Sequence, residues 1–384
     1  MTATRRLPWP RLITAFAILG ISASVAVSTY ADVIAGGGND HQTADWLIAY
    51  PGEFIRRGLF GELLFGVAPS GTATLWLLFA IQVACYVPVF AFFINYLFRT
   101  DFSWSAIALV ISPAALPFIG WDPLGGFRKE ILGFVALVLI AVARRGLARG
   151  WRIALLAAAL SVWTLGVFSW ESVALMLPAV GFLLLTEPTM PLRRSFAAAF
   201  AGVGTVALAA STVWHGTAAT STQLCTKIIE HGLGQNLCTG AVAWMGRSLQ
   251  DSLDLVVKDA PTYSGYLFMA ALAVLPIALS PWLRRYWAWA LVAAFSIAPL
   301  FVLGIDYGRW LHILVIELSI CIAVSHRDLV ESRLWNPLSV GLFVSLWAIP
   351  HAAPTGATTP GWPFKGLLAT VITAAQSWFI ALRA

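Results

Sequence analysis

Charge is what this sequence has least of. Only 11% of its 384 residues are Asp, Glu, Lys or Arg, whereas a soluble globular domain carries about 25%. That shortfall excludes a solvated surface for a soluble enzyme of this length. With 59% hydrophobic residues and a mean hydropathy of +0.80, the chain belongs in a bilayer. Cysteine is also scarce, with four residues and no CxxC or HExxH spacing, so a zinc site has no support. Walker A, GxGxxG and GxSxG are missing, which leaves nucleotide hydrolysis and serine-hydrolase chemistry without their residues. The net charge of +6 is small and distributed as a topology signal, so it does not argue for nucleic acid. No internal repeat is visible, and no stretch between apolar segments could hold a soluble domain of about 100 residues.

What is present is a series of apolar runs of membrane length. Segments of about 17 to 25 apolar residues read as transmembrane helices. Apolar runs of this kind, several of them shorter, fall near 12–31, 73–98, 104–120, 131–144, 153–168, 172–186, 195–213, 265–280, 287–304, 311–325, 337–350 and 366–382. The expectation is an all-α polytopic membrane protein of about twelve helices, built as one integral domain over 1–384. A β-barrel is disfavoured because long apolar runs dominate, with no alternating ten-residue pattern. The first segment follows Arg5, Arg6 and Arg11 as a signal peptide would, but the spans behind it favour a retained helix. The run 153–186 is split in two at Ser169–Trp170–Glu171.

Basic residues set the expected orientation. With the N-terminus inside, fifteen of the 24 Lys and Arg fall on the inner side and nine on the outer. Pairs such as Arg144–Arg145, Arg193–Arg194 and Arg284–Arg285 mark the inner loops, which are short and plain. Both termini are then cytoplasmic, in a bacterial inner membrane. The outer side receives three sizeable loops, 32–72, 214–264 and 351–365, which would cap an outward-facing site. Cys225 and Cys238 lie in the second of these and would pair as a disulfide in an oxidising compartment.

The remaining charges gather on that outer side. The stretch ADWLIAYPGEFIRRGLFGELLFG (44–66) places Asp45, Glu53, Arg56, Arg57 and Glu62 just after the first span, with a short juxtamembrane helix expected there. Charges near a bilayer are expensive unless they face water, a partner or a cavity. The planar fork of arginine suits phosphate and carboxylate; the plainer alternative is that Arg56 and Arg57 snorkel to head groups. In WDPLGGFRKE, Asp122, Arg128, Lys129 and Glu130 form a short outer connection where two cations follow a glycine pair and open a helix, a setting that can hold phosphate. A salt-bridged loop is the alternative. Glu171 sits at the tip of a tight helical hairpin, where a carboxylate at a helix start is an equally good account. In DYGRWLHI and beyond, Asp306, Arg309 and Glu317 combine an outer cation with a carboxylate two turns deeper on the same face, roughly 12 Å away. This suggests a polar cavity opening outward, or else a buried ion pair.

These features resemble the GT-C class of polytopic glycosyltransferases. The resemblance rests on a first helix followed by a long outer loop with early carboxylates (Asp32, Asp40, Asp45) and then the segment Trp46 to Gly66. It implies a catalytic aspartate in the first outer loop, for which Asp45 is the best positional match and Asp40 the second. The paired acidic motif of many members is absent. The chain is also similar to bacterial O-antigen and exopolysaccharide polymerases, which have outer arginines and a large late loop. The activity implied is transfer of sugar from a polyprenyl-phosphate or -diphosphate donor to a glycan or lipid acceptor at the outer face of the cytoplasmic membrane. Catalytic work would fall to Asp45, Glu53, Asp122 and Glu171. Arg56, Arg57, Arg128, Lys129, Glu130, Asp306, Arg309 and Glu317 would surround the phosphate. No cofactor is implied, although the outer carboxylates leave a divalent cation open. Partners would be the bilayer, the polyprenyl-linked sugar and other envelope-polysaccharide assembly proteins. Two further classes stand beside this one: a transporter or flippase for an anionic or lipid-linked substrate, and a non-catalytic scaffold of envelope assembly.

Overall fold

The computed structural model describes residues 9–99, 103–325 and 332–352. Among them every regular element is a helix. Six helices are long and apolar enough to cross a membrane: Leu12–Ala35, Thr72–Arg99, Arg149–Ser169, Arg193–Val213, Leu249–Ala278 and Pro281–Leu303. A helix satisfies all its backbone groups within one segment, which hydrocarbon requires. Only 22% to 33% of the residues in each are buried, and Ile13, Val87, Val206 and Phe295 point outward. That is the surface a helix offers to lipid.

The buried part of the molecule is made by shorter helices. In Tyr307–Ala323, all but the last residue are buried. Glu130–Ala143 is nearly as enclosed and packs against it. Both carry charged residues at their starts, so the polar groups of the chain enter the protein interior on its two most central helices. At the far end of Glu130–Ala143, Arg144 donates to the Leu183 carbonyl at 2.5 Å and to Thr186 Oγ1 at 3.1 Å. It thereby satisfies carbonyls that a helix end leaves open.

The count of about twelve spans is thus only partly met. Six helices reach membrane length among the described residues, with Glu130–Ala143, Glu171–Leu185 and Pro337–Leu346 as shorter apolar helices. The expected span 366–382 lies outside the described residues, as does 353–365 of the third outer loop. The expected helix 104–120 is not one helix. It runs Trp104–Val110, turns through 111–117, and resumes as Phe118–Trp121 and Pro123–Gly126. Pro113 and Pro117 cannot donate to the helical ladder and clash with the preceding turn, so the apolar run folds back inside the protein. The split at Ser169–Trp170–Glu171 is present: Trp170 is extended, and a 3-10 turn Glu171–Met176 precedes Leu177–Leu185.

Beyond the membrane-length helices, the two segments expected as the first and second outer loops fold together. The short helix expected after the first span is Leu59–Val67, preceded by Gln42–Trp46. Leu224, Ile228, Leu237 and Val242 of the second loop share a core with Trp46, Leu47 and Phe60 of the first. Cys225 and Cys238 are bonded. Lys227 Nζ donates to Glu62 Oε2 at 2.6 Å and to the Tyr50 carbonyl at 2.9 Å, fastening the loops across 165 positions. The second loop also ends earlier than expected, since its last helix, Leu249–Asp259, runs on into the span that follows.

Candidate functional site

The four charged clusters, dispersed over 265 positions of sequence from Asp45 to Arg309, meet at one end of the bundle. Two bidentate ion pairs form the frame. Arg57 grips Glu171 through Nε (3.0 and 3.1 Å) and Nη2 (2.8 Å). Arg309 grips Glu130 at 2.6 and 2.7 Å and reaches Asp306 at 3.1 Å. Paired donors matched to a carboxylate are the strong form of this contact. The guanidinium of Arg309 also lies over the Trp170 ring, 4.5 Å from its centroid, so the hairpin tip closes against the start of the central helix.

Lys129 stands between the two pairs. It is fully buried, donates to the Arg57 carbonyl at 3.1 Å and lies 3.9 Å from Asp45 Oδ1. Burial pushes its ammonium down to about 8, against the pull of Asp45. The Arg57 backbone that it contacts has φ +67°, a left-handed conformation that L side chains rarely adopt. Such strain persists where the surroundings over-determine the residue, and here Glu171 holds the side chain while Lys129 holds the carbonyl. Glu171 itself is drawn down to about 2; burial opposes the shift, and Arg57 and Arg56 overcome it.

Asp45 is positioned by its neighbours. Trp46 Nε1 donates to the Phe127 carbonyl at 2.9 Å, and Gln42 Nε2 donates to the Pro123 carbonyl. These bonds lay the helix Gln42–Trp46 along the 122–130 connection. One carboxylate oxygen of Asp45 faces Lys129, while Oδ2 is buried without a hydrogen-bond partner. Arg128 is 5% exposed and donates to the Leu124 carbonyl at 3.1 Å. Among the described residues no carboxylate lies within salt-bridge distance of it. Arg56 approaches Glu171 at 3.6 Å, and its Nε is buried and unpartnered. Five cations therefore stand with four carboxylates (Asp45, Glu130, Glu171, Asp306), and Asp122 adjoins them as a fifth.

Two expected members stand apart. Glu53 is exposed on the loop surface and joins none of these contacts. Glu317 lies two turns down the central helix, fully buried, with neither oxygen hydrogen-bonded. Arg309, two turns above it, pairs with Glu130 rather than with Glu317. Asp122 adjoins the cluster through a residue that the sequence did not single out. Its Oδ1 accepts from the Gly125 N–H at 2.8 Å, and its Oδ2 accepts from the N–H of His351 at 2.5 Å and from Nδ1 at 2.6 Å. Despite burial, the imidazole of His351 holds the Asp122 carboxyl below its ordinary value. Nothing in the spacing of two residues 229 positions apart could have paired them. Trp170 was likewise visible only as part of the hairpin tip.

Space around these groups is limited. A cavity of about 10 Å³, roughly one water, adjoins Arg56, Arg57 and Glu171. A wider cleft of about 370 Å³ opens between Tyr50, Gly52, Gln223 and Glu230, where the first two outer loops meet. Tyr50 and Phe54 rings at 5.3 Å connect one to the other.

No protein-family model matches the chain, and it matches no curated protein and no solved structure.

Proposed function

We propose that the chain is a membrane glycosyltransferase that takes sugar from a polyprenyl-phosphate or -diphosphate donor and delivers it to a glycan or lipid acceptor. The observation that carries this reading is Arg128, a buried guanidinium without an ion-pair partner among the described residues, held beside Lys129 and Arg309. A buried unpaired cation is costly, and an anionic ligand would offset that cost. A departing phosphate is the anion whose charge grows during glycosyl transfer, so preorganised cations would stabilise the transition state more than the bound donor. Depth supports a lipid-borne substrate. The 14-residue helix Glu130–Ala143 rises about 21 Å, less than the ~30 Å hydrocarbon core, so its charged start is within reach of a headgroup drawn in from the bilayer. Asp45, with one oxygen free, would take the proton of the acceptor hydroxyl. The disulfide beside the cluster supports the outer face of a bacterial inner membrane.

The test is a glycan profile by mass spectrometry in a deletion strain complemented with wild type, Arg128→Met or Asp45→Asn, with membrane levels matched. The expected result is loss of a sugar, or accumulation of single repeat units, in the deletion and in both variants. Unchanged glycans in the deletion would overturn the reading.

Transport of an anionic or lipid-linked substrate is favoured by a separate observation. Glu317 is buried mid-helix without a partner, and the 104–126 stretch is a broken helix inside the protein. Both are features of transport sites. Lipid-linked intermediates collecting on the inner leaflet of the deletion strain would favour transport over transfer.

A further inference from the structure

Asp45 is poorly placed to be the only base. Its side chain is 6% exposed, and the ammonium of Lys129 lies 3.9 Å away. One of its oxygens is engaged by that cation and the other is buried away from any hydrogen-bond partner. Asp122 has a different neighbour. From the contacts of that residue we infer that Asp122 and His351 form a carboxylate–imidazole dyad that deprotonates the acceptor at this site. The inference rests on the transferase function proposed above and replaces its general base.

The geometry constrains the tautomer. Asp122 Oδ1 is committed to the Gly125 N–H, and Oδ2 receives both the backbone N–H and Nδ1 of His351. With Nδ1 donating to the carboxylate, Nε2 is left as the acceptor. The imidazole is 25% exposed, against 10% for the Asp122 side chain, so the carboxylate is sheltered and the ring is open to an incoming hydroxyl.

The ring is held in place by its own backbone. The Gly308 N–H donates to the His351 carbonyl at 3.1 Å, and the Tyr266 hydroxyl donates to the Pro350 carbonyl at 3.3 Å. The strap lies so close that a Cβ on residue 308 would sit 1.9 Å from the Pro350 oxygen, and one on residue 125 would sit 2.6 Å from His351 Cβ. Glycine at both positions lets it reach the start of the central helix, next to the Arg309 cluster. The charged groups facing the imidazole among the described residues are Asp122 and Asp306, with Asp306 also facing Arg309 and Arg128.

The acceptor O–H proton passes to His351 Nε2, the acceptor oxygen bonds to the anomeric carbon, and the bond from that carbon to the phosphate oxygen breaks. Its electron pair leaves with the phosphate, which the cations of the cluster receive. Asp122 stays ionised and stabilises the imidazolium, as the aspartate of a catalytic triad does.

The experiment uses the full chain in nanodiscs with polyprenyl-linked sugars extracted from the host as donor and the host's own glycan as acceptor. Transfer rates are measured against pH for wild type, His351→Gln, His351→Ala with and without added imidazole, Asp122→Asn and Asp45→Asn. His351→Gln should lower kcat by about 10²–10⁴-fold, with little change in acceptor KM, and should abolish the acidic limb of the pH–rate profile. Imidazole should restore part of the rate to His351→Ala, which a purely structural histidine would not allow. If Asp122→Asn fails to fold, the His351 variants and the imidazole rescue decide alone. A wild-type rate and intact acidic limb in His351→Gln would overturn the dyad while leaving the transferase function standing. So would loss of that limb in Asp45→Asn instead. A wild-type protein that transfers no sugar would overturn both.

Discussion

Arg309 and Glu130 show how much a single buried side chain holds here. Both are nearly inaccessible, and each uses both arms on the other. Removing one member of a buried pair strands the other, at a cost of about 3–5 kcal/mol, whereas replacing both with apolar residues is often nearly neutral. Arg309→Ala should therefore lower the melting temperature and membrane yield sharply, while the Arg309→Met/Glu130→Met double variant should recover stability without recovering function. Equal losses in both would mean that the pair serves folding alone. Lys129 offers a pH test. Its ammonium titrates at about 8 rather than 10.5, so the fold disfavours the proton and gains stability as pH rises from about 8 towards 10.5. Anion binding that uses the ammonium should fall over the same rise. Lys129→Met should flatten both curves, read by thermal melting and by binding of a polyprenyl phosphate. Most of these residues were legible in the sequence because a charge inside an apolar chain is conspicuous. Their partners were not, since ion pairing across 114 to 179 positions depends on packing that no spacing encodes. Glu53 was misjudged for the same reason: it lies among site residues in sequence and on the surface in space.

At the scale of elements, the long apolar runs were read reliably and the short ones were not. Hydropathy registers that a segment is apolar, not whether its apolar neighbour is lipid or protein. The stretch 104–120 therefore read as a span although Pro113 and Pro117 turn it inside the core. The central helices 130–143 and 307–323 also read like spans that face lipid, yet they face protein. The disulfide expected between Cys225 and Cys238 is formed, and it links residues 13 positions apart. A loop of that size contributes about 3 kcal/mol by chain entropy. Cys225→Ser should accordingly expose 214–248 to limited proteolysis and loosen the Lys227–Glu62 fastening, with the membrane helices still protected. Protection equal to wild type would show that the loop core alone suffices.

For the whole molecule, the charged side-chain contacts collect at two ends of the bundle. One end of the bundle gathers Asp45, Arg57, Lys129, Glu171 and Arg309; Arg144 and Arg152 tie the helices together at the other. Reporter fusions should give cytoplasmic signals after residue 146 and after residue 190, and exported signals within 214–248. The reverse pattern would place the charged cluster on the cytoplasmic side and remove the case for an exported glycan. Among the described residues six helices reach membrane length against the twelve spans expected, and a protein with a buried centre can also use helices too short to cross.

The fastening of the first outer loop by Lys227 and of Asp122 by His351 has a consequence in time. A chain emerging from the ribosome presents Asp45 and Arg57 early, Glu171 and the second loop later, and His351 near the end. Until the later segments arrive, then, Glu130 lacks Arg309 and Asp122 lacks His351. Whatever escorts it into the membrane must shelter them until the last strap arrives.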